Sequence, residues 1–281
     1  MNKINILMIG LGNFGLPIAK NLIASNYNIY CTLIDGHGKK GMEKIIPFGG
    51  KFIKESDFQS IDALILCLPR PKDVQAVIHK LRDKIPKVII DLSTGDPTIS
   101  RNLEKDLKSD GITYIDSPVS GSIEDARNGN LTLFAGTKSS INVPIKRILQ
   151  TIGKNIYFFN QCGNGHKAKL INQLIHLSNI AIIGEAIKIA KLSDLDLNTL
   201  ISSLKTASAG SKMLDRFGDS IIKNEFTPHF SLELANKDLN LLNHFIENSH
   251  YKLLFGELVR EIYKEKLDEG KGSYNFTIVC E

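Results

Sequence analysis

Four polar side chains in one short stretch have the types and spacing needed for proton-transfer chemistry. They are Lys169, Asn172, Gln173 and His176. Spacings of three, four and seven from the lysine place the set on one face of a helix. The neighbouring residues are almost all apolar, so the helix is expected to be buried. Burying a bare charge is costly, so the lysine must be paired, hydrogen-bonded or directed into a cavity. The alternative is a structural helix whose lysine extends to the surface.

The composition limits what can surround this stretch. The 281 residues are 42% hydrophobic and 23% charged, typical of a globular chain with one large or two ordinary domains. The net charge of +5 comes from scattered lysines, so no nucleic-acid partner is expected. No apolar run reaches the ~20 residues of a membrane span, and the start is apolar too briefly for a signal peptide. The four cysteines are widely separated, which predicts reduced thiols, no metal site and a cytoplasmic protein.

A glycine-rich turn near the N-terminus predicts a dinucleotide site. Residues 4–9 form an apolar run typical of a buried strand, and a helical pattern follows the turn. In the G-x-G-x-x-G pattern the first glycine permits the tight turn and the second lets a pyrophosphate approach the backbone. The third allows close packing, and the helix N-terminus faces the phosphates. The alternative is a glycine-rich turn in another kind of α/β protein. The candidate cofactor residues here are Gly10, Gly12, Asn13, Phe14 and Gly15.

The cofactor is predicted to be NAD, with NADP as the alternative. A second strand, at residues 29–34, is followed by Asp35, twenty residues after Gly15. An acid at this position would bind the ribose hydroxyls and repel a 2′-phosphate. The alternative, NADP, is favoured by His37, Lys39 and Lys40, which follow closely and could hold its 2′-phosphate.

Further strand patterns predict an α/β fold with a doubly wound, mostly parallel sheet of the Rossmann type. They lie at residues 62–68, 87–92, 113–116, 131–136 and 156–159. Ligands of such sheets bind at the carboxyl ends of the strands. Three strand ends are therefore candidates, marked by Leu68 with Pro69, by Thr94, and by the loop from Ser120 to Ser122. Backbone N–H groups around Ser120 and Gly121 could hold a carboxylate.

Beyond Cys162 the strand patterns stop and only helical patterns remain. They cover residues 166–192, 197–205, 210–222, 232–247 and 252–267. The sequence therefore predicts two domains, a dinucleotide-binding domain at residues 1–161 and an all-helical domain at residues 162–281. A cleft at their junction would be the expected place for a ligand.

Taken together, four motifs resemble the β-hydroxyacid dehydrogenase family, which contains 3-hydroxyisobutyrate dehydrogenase and the glyoxylate and succinic semialdehyde reductases. They are the N-terminal glycine fingerprint, Asp116-Ser117-Pro118-Val119-Ser120-Gly121, Gly163-x-Gly165-x-x-x-Lys169-x-x-Asn172, and Lys237-Asp238-Leu239. The resemblance spans nearly the whole chain. The related 6-phosphogluconate dehydrogenase has a much longer helical domain than this chain contains.

The resemblance implies a hydride transfer between NAD(P) and a small carboxylate-bearing substrate. Lys169 would be the general acid/base, a role that lysine can fill when burial lowers its pKa towards neutrality. Lys237 would add positive charge near the nicotinamide. His166 and His176 are expected on the helix surface or behind the site, and Asp238 is expected to pair locally on its helix. Five residues are implied to contact the substrate: Ser120, Gly121, Ser122, Asn172 and Gln173.

The chain departs from the family pattern at the substrate loop. Ser122 and Asp125 stand where glycines are usual, and Gln173 replaces a second asparagine. Because of these changes, the sequence does not identify the substrate. Two other functions stay open as well: a sensor that binds dinucleotide without turnover, and an imine or ketone reductase of the same superfamily. Members with that last activity commonly lack the lysine that is present here as Lys169. Helical domains of this kind usually form dimers or tetramers, so a homo-oligomer is expected.

Overall fold

The computed structural model describes residues 3–34, 37–138, 140–227, 229–247, 249 and 251–281. By its internal contacts the chain divides into two units, Met1–Lys169 and Leu170–Glu281. This division falls eight residues after the boundary predicted at residue 161. The first turn of the long helix that starts at Asn164 belongs to the first unit, because its backbone and His166 bond to the sheet region.

The first unit is built on a six-stranded parallel sheet in the order β3-β2-β1-β4-β5-β6. Short apolar runs form the central strands, and the strand at Ala63–Leu66 is buried along its whole length. The strands are β1 (Asn5–Ile9), β2 (Asn28–Cys31), β3 (Lys51–Phe52), β4 (Ala63–Leu66), β5 (Val88–Asp91) and β6 (Thr113–Asp116). The helices of this unit are α1 (Gly15–Ala24), α2 (Lys39–Ile45), α3 (Pro71–Leu81), α4 (Pro97–Lys108), α5 (Ile123–Arg127) and α6 (Val143–Ile152).

The predicted doubly wound fold is confirmed, with two apolar clusters that share the strands of the sheet. The last predicted strands do not extend the main sheet. They form a three-stranded sheet of β7 (Val119–Ser120), β8 (Thr132–Ala135) and β9 (Asn155–Phe158). In it β7 and β8 are antiparallel. The short strands β3 and β7 were not predicted, because two residues are too few to show an alternation of apolar and polar side chains.

The second unit is all-helical, as predicted. It contains the rest of α7 (Asn164–Leu192), then α8 (Leu197–Thr206), α9 (Lys212–Ile222), α10 (Leu232–Ile246) and α11 (Leu254–Asp268). Its core includes Leu177, Ile180 and Ile183 from α7. The C-terminal residues Phe276–Cys280 form a buried 3-10 helix in the same core.

The expectation that α7 is buried on all sides is wrong for the single chain. One face packs in the helical core, but another leaves an apolar row exposed to solvent. This outer stripe consists of Ile171, Ile175, Ile182, Ile189 and Leu192. By length and composition α7 could also cross a membrane, contrary to the sequence expectation. The core helix of a globular protein can have the same length and composition. Leu177, Ile180 and Ile183 pack in the core of the second unit, so α7 is a core helix of this kind.

Candidate active site

The turns that follow β1, β4 and β5 lie side by side, because these strands are adjacent and parallel. The fingerprint turn after β1 touches the turn after β4 so closely that a Cβ on Gly10 would lie 2.1 Å from the Cys67 carbonyl oxygen. The turn after β4 is tied to the turn after β5, since the Leu68 N–H donates to Ser93 Oγ at 2.9 Å. The predicted residues Leu68, Pro69 and Thr94 therefore flank the fingerprint at one edge of the sheet.

The fingerprint fits a dinucleotide pyrophosphate. Gly10 has φ +98°, and a Cβ on Gly15 would lie 1.9 Å from the Gly10 carbonyl oxygen. A side chain at either position would clash with a backbone carbonyl oxygen, so the fold itself requires both glycines. A Cβ on Gly12, in contrast, would meet no atom within 4 Å, so this glycine leaves open space beside the backbone. Helix α1 starts here without a side-chain cap at Phe14, and its first N–H groups suit an anion.

Among the other cofactor candidates, Asn13 and Phe14 lie in the same turn, just before α1. Asp35, on which the preference for NAD depends, lies outside the described residues. The basic residues after it begin α2, with Lys39 and Lys40 as its first two residues.

The two departures in the substrate loop belong to one structural feature. The Asp125 side chain accepts hydrogen bonds from the Ser122 N–H at 2.6 Å and from Ser122 Oγ at 2.7 Å. In return, the Asp125 N–H donates to Ser122 Oγ at 2.9 Å. This is a reciprocal capping box at the start of α5. Ser122 and Asp125 therefore fix the end of the loop that carries Ser120 and Gly121, and the role of Ser122 as a substrate ligand stays a prediction.

A buried carboxylate anchors the start of α7. Asp116, at the end of β6, accepts hydrogen bonds from the Gly163 N–H at 2.8 Å and the His166 N–H at 2.9 Å. Burial raises the pKa of Asp116, while His166 and the two backbone donors partly offset this effect. The carboxylate thus holds the first turn of the helix that presents Lys169 one turn later.

His166 is not on the helix surface, because its side chain is only 1% exposed. Its Nε2 donates to the Ser93 carbonyl at 3.0 Å, and its Nδ1 lies 2.7 Å from Ser100 Oγ. The ring packs against Gly95, where a Cβ would come within 2.6 Å of it. His166 therefore ties the first turn of α7 to the turn that carries Thr94.

The Asp116 anchor gives a stability prediction. In Asp116→Asn one carboxylate oxygen becomes an NH₂ group that faces a backbone donor, which leaves one buried N–H group without an acceptor. We expect a loss of about 2 kcal/mol in the free energy of unfolding, measured by urea denaturation. Asp83→Asn, at an exposed position, is the control and should change stability by less than about 0.5 kcal/mol. Equal stability of the two variants would show that the Asp116 bonds contribute little.

The polar residues predicted to share one face of α7 are divided between the two units. Lys169 is only 7% exposed at the end of the first unit. In the second unit Asn172 Nδ2 donates to Gln173 Oε1 at 3.1 Å, and Gln173 Nε2 donates to Asp238 Oδ2 at 2.7 Å. The Lys237 ammonium forms an ion pair with Asp238 Oδ1 at 2.8 Å. The helical unit thus brings the predicted residues Asn172, Gln173 and Lys237 into one network.

Lys237 also lines a groove of about 320 Å³ along α10. Asn236 lies in the same groove, and its side-chain oxygen is buried with no hydrogen-bond partner among the described residues. Lys237 is therefore at the edge of a polar depression on this helix.

Three residues of these networks were not identified as central from the sequence: Asp116, His166 and Asp238. Asp116 ends a strand and lies next to the turn residues, so its position gave a signal, but its partners lie 47 and 50 residues away. The local pairing expected for Asp238 is correct for Lys237. It misses the bond to Gln173, which is 65 residues away in the chain.

Comparison with known families gives two matches that together span almost the whole chain. Residues 5–161 match the NAD-binding domain of 6-phosphogluconate dehydrogenase. Residues 163–281 match the NAD-binding domain of NADP-dependent 3-hydroxyisobutyrate dehydrogenase. The first match ends one residue before Cys162, and the second begins one residue after it.

Individual relatives are distant but collinear with the chain. Mitochondrial 3-hydroxyisobutyrate dehydrogenase of Drosophila melanogaster is 28% identical over 99% of this chain and 88% of its own length. The 2-hydroxy-3-oxopropionate reductase of Escherichia coli K12 is 28% identical over 83% of this chain and 81% of its own. The crystal structure of a 3-hydroxyisobutyrate dehydrogenase from Salmonella typhimurium superposes with a TM-score of 0.90 at 18% identity, covering 99% of both chains, which shows a shared fold.

Proposed function

Because the chain belongs to the NAD-binding hydroxyacid dehydrogenase family, we propose that it transfers a hydride between a nicotinamide cofactor and a small β-hydroxyacid or its semialdehyde. Family membership makes it an NAD(P)-dependent oxidoreductase. The observation that carries the finer proposal is Lys169, a lysine only 7% exposed on α7. The first turn of this helix is anchored by hydrogen bonds from the Gly163 and His166 N–H groups to Asp116.

Lys169 is the proposed general acid/base. A bound nicotinamide supplies or accepts the hydride, and the protein must supply or remove the matching proton at the substrate oxygen. In reduction the Lys169 ammonium gives its proton to the carbonyl oxygen; in oxidation the neutral amine takes the hydroxyl proton. The anchored first turn of α7 supports this role, because proton transfer requires a donor held in place.

The substrate is proposed to carry one carboxylate beside the reacting carbon. The loop of Ser120 and Gly121, fixed at its end by the Ser122–Asp125 capping box, would hold this carboxylate with backbone N–H groups. Asn172 would bind the reacting oxygen or the carboxylate. The names of the relatives favour 3-hydroxyisobutyrate and 2-hydroxy-3-oxopropionate, which share an acid and an alcohol or aldehyde on a short carbon chain.

NAD is the preferred cofactor in this proposal and NADP the alternative. Asp35 supports NAD by its position after the second strand. The lysines at the start of α2 would act in the opposite sense. The ratio of kcat/KM for the two cofactors decides between them, and a much higher value with NADP would reverse the preference.

A substrate panel tests the proposal. NADH and NADPH oxidation would be followed with glyoxylate, succinic semialdehyde, methylmalonate semialdehyde and 2-hydroxy-3-oxopropionate. We expect turnover on at least one of these compounds. Binding of NADH without turnover on all four would contradict the substrate class, and the same panel extended to imines would detect an imine reductase.

A second copy of this chain is the proposed partner of the outer stripe. Ile171, Ile175, Ile182 and Ile189 are each more than half exposed, and such a contiguous apolar row marks an interaction surface. Leu254, Phe255 and Leu258 add exposed apolar area on α11 of the same unit. A long row on one helix suits a twofold interface, in which the same surface contributes from both copies.

Ile182→Glu tests this interface. Placing a carboxylate in the middle of the stripe should disfavour burial against a second copy, so we expect a dimer or tetramer to become largely monomeric in light scattering. The control is Lys191→Glu, which places a carboxylate at an exposed polar position of the same helix. A wild-type chain that is monomeric at micromolar concentration would contradict the proposed interface.

A further inference from the structure

A continuous series of contacts within the first unit joins the glycine fingerprint to the helix that carries Lys169. The fingerprint turn packs against Cys67, and the next residue, Leu68, donates its N–H to Ser93 Oγ at 2.9 Å. The Ser93 carbonyl accepts a hydrogen bond from His166 Nε2 at 3.0 Å, and His166 lies in the first turn of α7. Ser93 therefore holds the turn after β4 with its hydroxyl group and α7 with its carbonyl group.

The imidazole ring of His166 is enclosed on its other sides as well. Its Nδ1 lies 2.7 Å from Ser100 Oγ on α4. A Cβ on Gly95 would lie 2.6 Å from the ring Cε1, and the three nearest atoms to that Cβ all belong to the ring. Gly95 does not have a positive φ, so its backbone does not require glycine. The space that a side chain would need at this position is filled by the ring of His166.

Hydride and proton must reach the two atoms of one carbonyl group, so the cofactor and the proton donor must be held at a fixed separation. Lys169 follows His166 by three residues, on the same face of α7. We propose that His166 is a positioning residue that sets the separation between Lys169 and the turns after β1, β4 and β5, and that Gly95 is the glycine that makes room for it. This inference rests on the proposed function, in which Lys169 is the acid/base. The contacts that carry it lie within Met1–Lys169.

His166→Leu is the kinetic test, because it keeps an apolar side chain in the space of the ring and removes both ring hydrogen bonds. A displacement of about 1 Å can cost about 100-fold in rate. We therefore expect kcat to fall about 10- to 100-fold, while the KM for substrate and the Kd for NADH change less than about threefold. The control is His79→Leu, the same change at an exposed position of α3, which should keep wild-type kcat.

His166→Gln separates positioning from stability. Its amide N–H can reach the Ser93 carbonyl, so kcat should recover to within about threefold of wild type. A purely structural role would lower the Tm of the leucine and glutamine variants without this difference in kcat. Wild-type kcat in His166→Leu, or an equal loss of kcat in both variants, would overturn the proposal.

Gly95→Ala tests the same pair with His166 in place. Carbon atoms in contact are normally about 3.5–4.0 Å apart, so the new methyl group must displace the ring or the turn by about 1 Å. We expect kcat to fall at least about 10-fold. In a His166→Ala background the ring is absent, and the same alanine should lower kcat further by less than about threefold. Unchanged kcat in Gly95→Ala, or an equal loss in both backgrounds, would overturn the pairing.

The geometry can also be measured without turnover. In crystal structures of the wild type and of His166→Leu, superposed on the strands of the main sheet, we expect the Lys169 Cα positions to differ by more than about 0.5 Å. Coinciding positions would overturn the proposal. If the substrate panel shows no turnover at all, the proposed function fails, and these structures still decide whether His166 places Lys169.

Discussion

Lys169→Ala should lower kcat/KM by about 10²- to 10⁴-fold, the range that a positioned general acid/base contributes. This corresponds to roughly 3–5 kcal/mol of transition-state stabilisation. The loss should appear in kcat, because the proton is transferred in the chemical step. The Kd for NADH should stay within about twofold, since the pyrophosphate site at Gly10–Gly15 does not include this side chain.

Lys191→Ala is the matched control for this prediction. It removes a lysine from the exposed end of the same helix, so kcat should be unchanged. Steady-state kinetics on the best substrate of the panel, with NADH titrations beside them, measure both parameters. A Lys169→Ala protein with kcat within threefold of wild type would remove the proposed acid/base.

Two glycines of one turn should respond to substitution in opposite ways. A side chain on Gly12 meets no protein atom within 4 Å, so Gly12→Val should fold with a Tm within a few degrees of wild type. The same valine would occupy the space through which a pyrophosphate approaches the backbone. We therefore expect the Kd for NADH to rise at least about 100-fold.

Gly10→Ala should instead damage the fold. Its Cβ would lie 2.1 Å from the Cys67 carbonyl oxygen, at a φ of +98° that a side chain rarely adopts. We expect a loss of more than about 2 kcal/mol in the free energy of unfolding. NADH binding by calorimetry and thermal unfolding separate the two effects. Gly12→Val that binds NADH like wild type would exclude the fingerprint as the cofactor site.

The parts of the fold that could be predicted are those with local signals. The strand at Asn5–Ile9, the glycine turn and the start of α1 follow from an apolar run, three glycines and a helical period within 24 residues. The helices of the second unit could be predicted for the same reason, because helical periodicity is a local signal. The three-stranded sheet could not be predicted, because Val119–Ser120 is two residues long and its antiparallel pairing depends on contacts with β8.

The candidate site likewise has residues that could be predicted from local signals and long-range contacts that could not. Lys169, Asn172 and Gln173 were identified from helical spacing, which is a local property. The bonds that hold them were not, because Asp116 reaches His166 across 50 residues and Gln173 reaches Asp238 across 65. The Ser122–Asp125 pair was read as a departure in the substrate loop. Its spacing of three, with a serine followed by an acid, is a capping-box signal that the sequence does contain.

The most direct measurement of the central claim follows the hydride itself. NADH and NADPH deuterated at the nicotinamide C4 would be incubated with the four aldehyde acids, and the products analysed by NMR. The account predicts deuterium on the carbinol carbon of at least one hydroxyacid, with the transfer rate reduced about 10²- to 10⁴-fold in Lys169→Ala. Absence of label from every product while NADH binds, or transfer at the wild-type rate in Lys169→Ala, would contradict it.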